Sequence, residues 1–152
     1  MIVPELYQIA EVELTYKTTV NPSQRPKITC SQDSYAVLLQ SWDENKLEFV
    51  EQAKVMLLNR ANRVLGICDL STGGVAGTVV DPKLVFIAAL KANASSIILA
   101  HNHPSSNLNP SETDIKLTRK IKEAGNFLDM PVLDHIIVTK EGYYSFADNL
   151  GL

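Results

Sequence analysis

Three histidines occur in the chain, and two of them, His101 and His103, stand one residue apart at the end of the apolar run Ser95 to Ala100. That run is short and β-branched, which predicts a buried strand. Alternate side chains of a strand share a face, so the two imidazoles project to one side with their backbones ~6.5 Å apart. Ring nitrogens so placed can reach one ion at the ~2.0 to 2.1 Å that zinc requires. A third ligand is on offer from Asp114, in the first turn of a helix that Ser111 opens. Two histidines and a carboxylate leave one tetrahedral position for water, the arrangement of a catalytic zinc site and not of a structural one. Each residue also has a plainer reading. Histidines pack in cores or sit on surfaces, and Ser111 followed three residues later by an acid resembles a capping box. Cap and ligand are compatible, since Ser111 can end the loop while Asp114 faces an ion.

The elements that must position these groups can be read along the chain. Val12, Leu14 and Tyr16 alternate with polar neighbours, predicting a strand over Glu11 to Thr19. Asn21 to Pro26 is a loop by composition, and Ser31 opens a helix to about Gln40 with Tyr35, Leu38 and Leu39 on one face. Val50 to Leu58 and Val64 to Leu70 read as strands of a hairpin turning at Asn59 to Asn62. Ser71 to Gly77 is a glycine-rich loop whose glycines follow neither of the common phosphate-binding patterns; a short strand is expected over Thr78 to Val80. Asp81 and Pro82 are a strong helix start, for a helix reaching about Ala92. A second helix runs from Ser111 to about Gly125. Val132 to Thr139 is a strand, and Glu141 and Gly142 turn into Tyr143 to Phe146. Strands and helices alternate irregularly, which predicts one α/β (mixed α+β) domain, a central mixed sheet flanked by helices.

The chain has 152 residues, 45% hydrophobic and 20% charged, enough for one domain with a real core. Its net charge of −3 argues against duplex DNA as a direct partner, because phosphate contacts call for a basic stripe. The densest basic stretch, Lys116, Arg119, Lys120 and Lys122, is interleaved with Glu112, Asp114 and Glu123 and reads as a solvated helix face. No apolar run has the ~18 to 20 residues of a membrane span. The start shows no basic segment followed by an apolar one, so a cytoplasmic protein is expected. Cys30 and Cys68 form no CxxC pair, and both are expected to be small buried hydrophobes. The literal tripeptide His101, Asn102, His103 is not the HNH nuclease motif, whose residues are spread over a longer unit. Zinc deaminases need a His-x-Glu and a Pro-Cys-x-x-Cys that are missing here.

His101-x-His103, seven residues, Ser111, two residues, Asp114 is similar at every fixed position and spacing to the HxH(x7)SxxD signature of the JAMM (JAB/MPN+) metalloproteases. Three flanking stretches resemble the bacterial RadC-like branch of that family: Ile97 to Ser105, Leu133 to Val138, and Ser145 to Ala147. The resemblance covers about Ser31 to Leu152, and divides the chain into an N-terminal extension (1–30, strand plus loop) and a JAB/MPN domain (31–152). It implies a cytidine-deaminase-like JAB/MPN fold and one zinc ion per chain, held by His101, His103 and Asp114. It also implies a glutamate on an upstream strand as general acid/base. Among Glu44, Glu48 and Glu51, the last matches the spacing Glu-x-x-x-Val-x-x-x-Asp-x-x-x-Arg of RadC-like chains through Val55, Asn59 and Arg63, with Asn59 in place of the Asp. Glu48 is the fallback. Asn59 falls in a turn, where Asn and Asp behave alike.

In that reading zinc brings the pKa of its water towards ~7, Glu51 moves the proton to the leaving amine, and Ser111 hydrogen-bonds the oxyanion. The substrate would be a peptide or isopeptide amide. His135, and Asp134 beside it, are expected to orient a metal ligand from outside or to be structural. Two other classes of function compete with hydrolysis. One is a RadC-like module in DNA repair or mobile-element biology, acting through protein or DNA binding. The other is a structural domain with a vestigial metal site.

Overall fold

A computed structural model describes residues 8–13, 15–74 and 78–152. Its elements are α1 (Ser31–Ser41), α2 (Glu44–Leu47), β1 (Gln52–Leu58), β2 (Val64–Thr72), α3 (Pro82–Lys91), β3 (Ser96–Asn102), α4 (Glu112–Phe127), β4 (Val132–Val138), β5 (Tyr143–Ser145) and α5 (Phe146–Leu150). Five strands form one mixed sheet in the order β2-β1-β3-β4-β5. β1 runs antiparallel to both β2 and β3, β3 runs parallel to β4, and β5 returns antiparallel to β4.

The central place of β3 follows from its sequence. Every residue from Ser96 to Asn102 is buried, as a strand covered on both faces must be. On one face Ile97 and Leu99 join Val55 and Leu57 under α3 and α4, through Val85, Phe86, Ala89 and Ile121. On the other, Ile98 and Ala100 join Met56, Leu58, Ile136 and Val138 under α1, Trp42 and Leu47. His101 continues the first face and Asn102 the second, so one strand end aims two polar side chains in opposite directions.

The helix starts are set by side chains. Asp81 accepts a hydrogen bond from the Lys83 amide with Pro82 at the first helical position. Ser111 and Asp114 close a full capping box on α4. α4 extends past Gly125 to Phe127, and Gly125 is required there: a Cβ at this position would lie 2.5 Å from the carbonyl oxygen of Met130. The close approach turns the chain directly from α4 into β4.

Several expectations change. Residues 8–13 and 15–20 form no strand, and Val12 is 83% exposed; alternation without a neighbouring edge to pair with does not make a strand. Leu14 lies outside the described residues. Tyr16 does reach the protein, its hydroxyl donating to the Leu65 carbonyl. β2 continues through Ser71 and Thr72, where a loop was expected, because Gln52 and Ala53 pair with those residues. Thr78 to Val80 form no strand, and 75–77 lie outside the described residues. β1 begins at Gln52 and not at Val50. α2 and α5 are too short for helical periodicity to reveal them, and Phe146 starts α5 instead of ending β5. Cys30 is exposed and Cys68 half-buried, so neither is the core hydrophobe expected.

Candidate metal centre

The strand end, the helix start and the segment before β1 meet at one place. His101 is the penultimate residue of β3, and His103 lies just beyond the strand, its amide bonded to the Val138 carbonyl at 3.3 Å. Their Nε2 atoms stand 2.9 Å apart. Asp114 Oδ2 is 3.4 Å from His101 Nε2 and 3.5 Å from His103 Nε2. Glu51 Oε1 lies 3.8 Å from His101 Nε2. One ligand atom from each of these four residues falls within 4.8 Å of all the others. Ligands ~2.0 to 2.1 Å from a tetrahedral ion are separated by ~3.3 Å, so the triangle of two nitrogens and one carboxylate oxygen has the dimensions of a zinc face. The donor set, imidazole and carboxylate, suits that ion.

Each side chain is held by its own surroundings. The Asp114 oxygen that faces the histidines also accepts the Ser111 amide at 2.9 Å, so the helix cap aims the ligand. His103 Nδ1 bonds to the Asn107 carbonyl; a carbonyl can only accept, so Nδ1 carries a proton, and in the neutral ring Nε2 is the bare nitrogen. Ser111 Oγ accepts the Asp114 amide at 3.1 Å, and its hydroxyl proton stays available. Ser111 opens onto the same groove as Glu51, His103 and Asp114.

Glu51 is fixed from two sides. Its amide donates to the Gly74 carbonyl at 3.1 Å, and its carbonyl accepts from the Gly73 amide at 2.8 Å, which extends the β1–β2 hairpin by one residue. Asn102, wholly buried, grips the flanking residues: Oδ1 accepts the Gln52 amide at 2.7 Å, and Nδ2 donates to the Val50 and Leu47 carbonyls at 2.9 and 2.7 Å. Glu48 instead pairs at the surface with Lys140, and Glu44 is exposed in α2. Of the three glutamates the sequence put forward, Glu51 is the one brought to the cluster. Asn59 holds its turn, its Oδ1 accepting the amides of Ala61 and Arg63 at 3.0 Å.

His135 is buried against His101, Nε2 to Nδ1 at 2.7 Å, and stacks on Phe146 with ring centroids 4.5 Å apart. Burial pushes its pKa well below 6.5, so it is neutral. Asp134 points to the other face of the sheet, where its carboxylate takes the Ser145 hydroxyl at 2.6 Å and the Ala147 amide at 3.0 Å. It anchors the start of α5, and with it Phe146; it makes no contact with the cluster. Two residues the sequence reading missed complete the setting. A wholly buried Asn in an apolar strand must have partners, which was the available signal for Asn102. Thr118, one helical turn after Asp114, was readable from its spacing.

The charges of the site act on one another. Burial alone would raise the Asp114 carboxyl, but the imidazoles of His101 and His103 and the Ser111 amide beside it hold it well below the usual carboxylate range. Burial raises the Glu51 carboxyl, and the two imidazoles only partly offset that.

A mixed sheet between helices, with two histidines and an aspartate converging at a strand end, is the architecture of a JAB/MPN domain. The family model of the RadC-like JAB domain matches residues 28–152, and the chain belongs to that family. It is 46% identical over 122 residues to a UPF0758 protein of Flavobacterium johnsoniae, covering 80% of this chain and 52% of that one. A UPF0758 protein of Clostridium beijerinckii is 35% identical over 144 residues, 95% of this chain and 62% of the relative. The chain thus spans between half and two thirds of the length of these relatives.

Proposed function

We propose that this domain is a zinc-dependent metallohydrolase of the JAMM type that cleaves a peptide or isopeptide amide. The observation carrying the reading is the triangle of His101 Nε2, His103 Nε2 and Asp114 Oδ2 with the Glu51 carboxylate beside it. His101, His103 and Asp114 would hold one zinc ion, which supplies the Lewis acidity that makes water nucleophilic near neutral pH. Glu51 takes a proton from the attacking water and delivers it to the departing nitrogen. Its raised proton affinity brings it closer to the working pH, as a group that both accepts and returns a proton requires. The Ser111 hydroxyl donates to the oxyanion that forms at the carbonyl, an interaction worth ~2.7 to 4 kcal/mol. The open groove along His103, Asn107 and Ser111 is where the substrate chain would lie.

The reading is tested by metal content and by one substitution. Protein purified without added metal should contain about one zinc per chain, and His101→Ala should contain none. Against a panel of fluorogenic peptide and isopeptide amides, Glu51→Gln should keep its zinc and lose hydrolysis by at least ~100-fold. Zinc-free wild-type protein that also fails to take up zinc would end the proposal, and undiminished hydrolysis by Glu51→Gln would remove Glu51 from it.

A further inference from the structure

We propose that Thr118 and His135 are positioning residues: a one-directional chain of hydrogen bonds, beginning at the main-chain carbonyl of Asp114, fixes which nitrogen of His101 is free to bind the ion. The inference rests on the metal-site reading above and goes beyond it by saying how the site is set before any ion arrives. The starting point admits no choice. A carbonyl oxygen only accepts, so the Thr118 hydroxyl, 2.7 Å from the Asp114 oxygen, gives its single proton there. Toward His135 Nδ1, 2.6 Å away on its other side, the same hydroxyl can then only accept. Nδ1 must therefore carry the proton of that ring, and Nε2 is bare. His135 Nε2 in turn lies 2.7 Å from His101 Nδ1 and accepts from it. His101 is left with its proton on Nδ1 and its Nε2 lone pair facing Asp114, His103 and Glu51.

Thr118 makes the decision, because the two rings alone would not. With both tautomers reversed, His135 would donate from Nε2 to His101 Nδ1, the same single hydrogen bond would join them, and His101 would carry its proton on Nε2, closed to a metal. In the reversed arrangement the His101 Nε2 proton would face Asp114 Oδ2 at 3.4 Å and His103 Nε2 at 2.9 Å, and the acceptor at Nδ1 of His135 is what opposes it. His103 needs no such chain, since the Asn107 carbonyl fixes it directly. The remaining contacts hold the chain in place: Phe146 lies nearly parallel to the His135 ring, 11° between planes. Thr118 itself is buried one helical turn after Asp114. The same stretch of α4 thus supplies one ligand and sets another.

The test reads tautomers and metal affinity, not hydrolysis. With histidine ring nitrogens labelled by 15N, NMR of the metal-free wild-type protein should show His101 and His135 both protonated on Nδ1. Thr118→Val keeps the shape of the side chain and removes both hydrogen bonds. It should give mixed tautomers in both rings and weaken zinc binding, measured against a competing chelator, by ~10 to 100-fold. Thr118→Ser should restore both. Should Thr118→Val fail to fold, His135→Gln, which can accept from His101 and donate to Thr118, should keep zinc while His135→Leu loses it. His101 protonated on Nε2 in wild-type protein, unchanged affinity in Thr118→Val, or equal affinity in the Gln and Leu variants would each overturn the proposal. So would a wild-type protein that binds no zinc. Zinc binding without hydrolysis would defeat the proposed reaction and leave this inference standing.

Discussion

His103 sits between a main-chain carbonyl on one ring nitrogen and two carboxylates near the other. Burial opposes a charge on its ring, but Asp114, the Asn107 carbonyl and Glu51 together outweigh burial and raise its pKa above 6.5. In the metal-free protein the proton on His103 favours the folded state; that contribution is complete below 6.5 and is lost as pH rises through the higher folded value. A zinc ion needs the same nitrogen without its proton. Zinc affinity should therefore fall as pH is lowered from the mildly alkaline side, with the decline beginning above the ordinary histidine value. Chelator competition across that range checks this, and an affinity that stays flat down to about pH 6 would contradict it. Asp114, held well below the usual carboxylate range, takes no part in the decline.

At the scale of elements, the site depends on junctions more than on helices or strands themselves. Asn102→Leu would leave the Leu47 and Val50 carbonyls and the Gln52 amide without their partner in a buried place. It should cost roughly 3 kcal/mol in urea denaturation, and release Glu51 while leaving the histidines in position. Gly125→Ala should cost about 1 to 3 kcal/mol, because the clash with Met130 lies on backbone and can be relieved only by moving β4 against α4. These junctions also mark where the sequence could and could not be read. His101, His103, Ser111 and Asp114 lie within one strand–loop–helix passage, so spacing alone brings them together. Glu51 comes to them through the antiparallel pairing of β1 with β3, which is not local, and only the family resemblance selected it. The run from Glu11 to Thr19 alternates like a strand, yet no sheet edge pairs with its described residues. Thr118 and Asn102 look ordinary in the sequence; their importance lies in what stands opposite them.

At the scale of the whole molecule, the ligands come from a strand and a helix on either side of a loop, and Glu51 from a third part of the chain. A bound ion therefore ties together segments that separate on unfolding. Zinc present at about 100 times its dissociation constant should stabilise the domain by about 2.7 kcal/mol, or ~5 to 10 °C in thermal midpoint for a chain of this size, reversibly with chelator. A midpoint indifferent to zinc and chelator would mean that no ion is held by the folded state. The exposed part of α4 carries Lys116, Arg119 and Lys120 beside Glu112 and Glu123, a mixed face and not a basic stripe. Among the described residues no helix is long and apolar enough to cross a membrane. The relatives' chains continue beyond the part matched here.

One oxygen of Asp114 both closes the cap of α4 and faces the two histidines. The first turn of a helix is the part most prone to fray, and fraying here withdraws a ligand. Ion exchange and the opening of that turn become one event seen from two ends. The lifetime of a bound ion is then written into how often the helix lets go of its own beginning, and a tighter cap is a slower door.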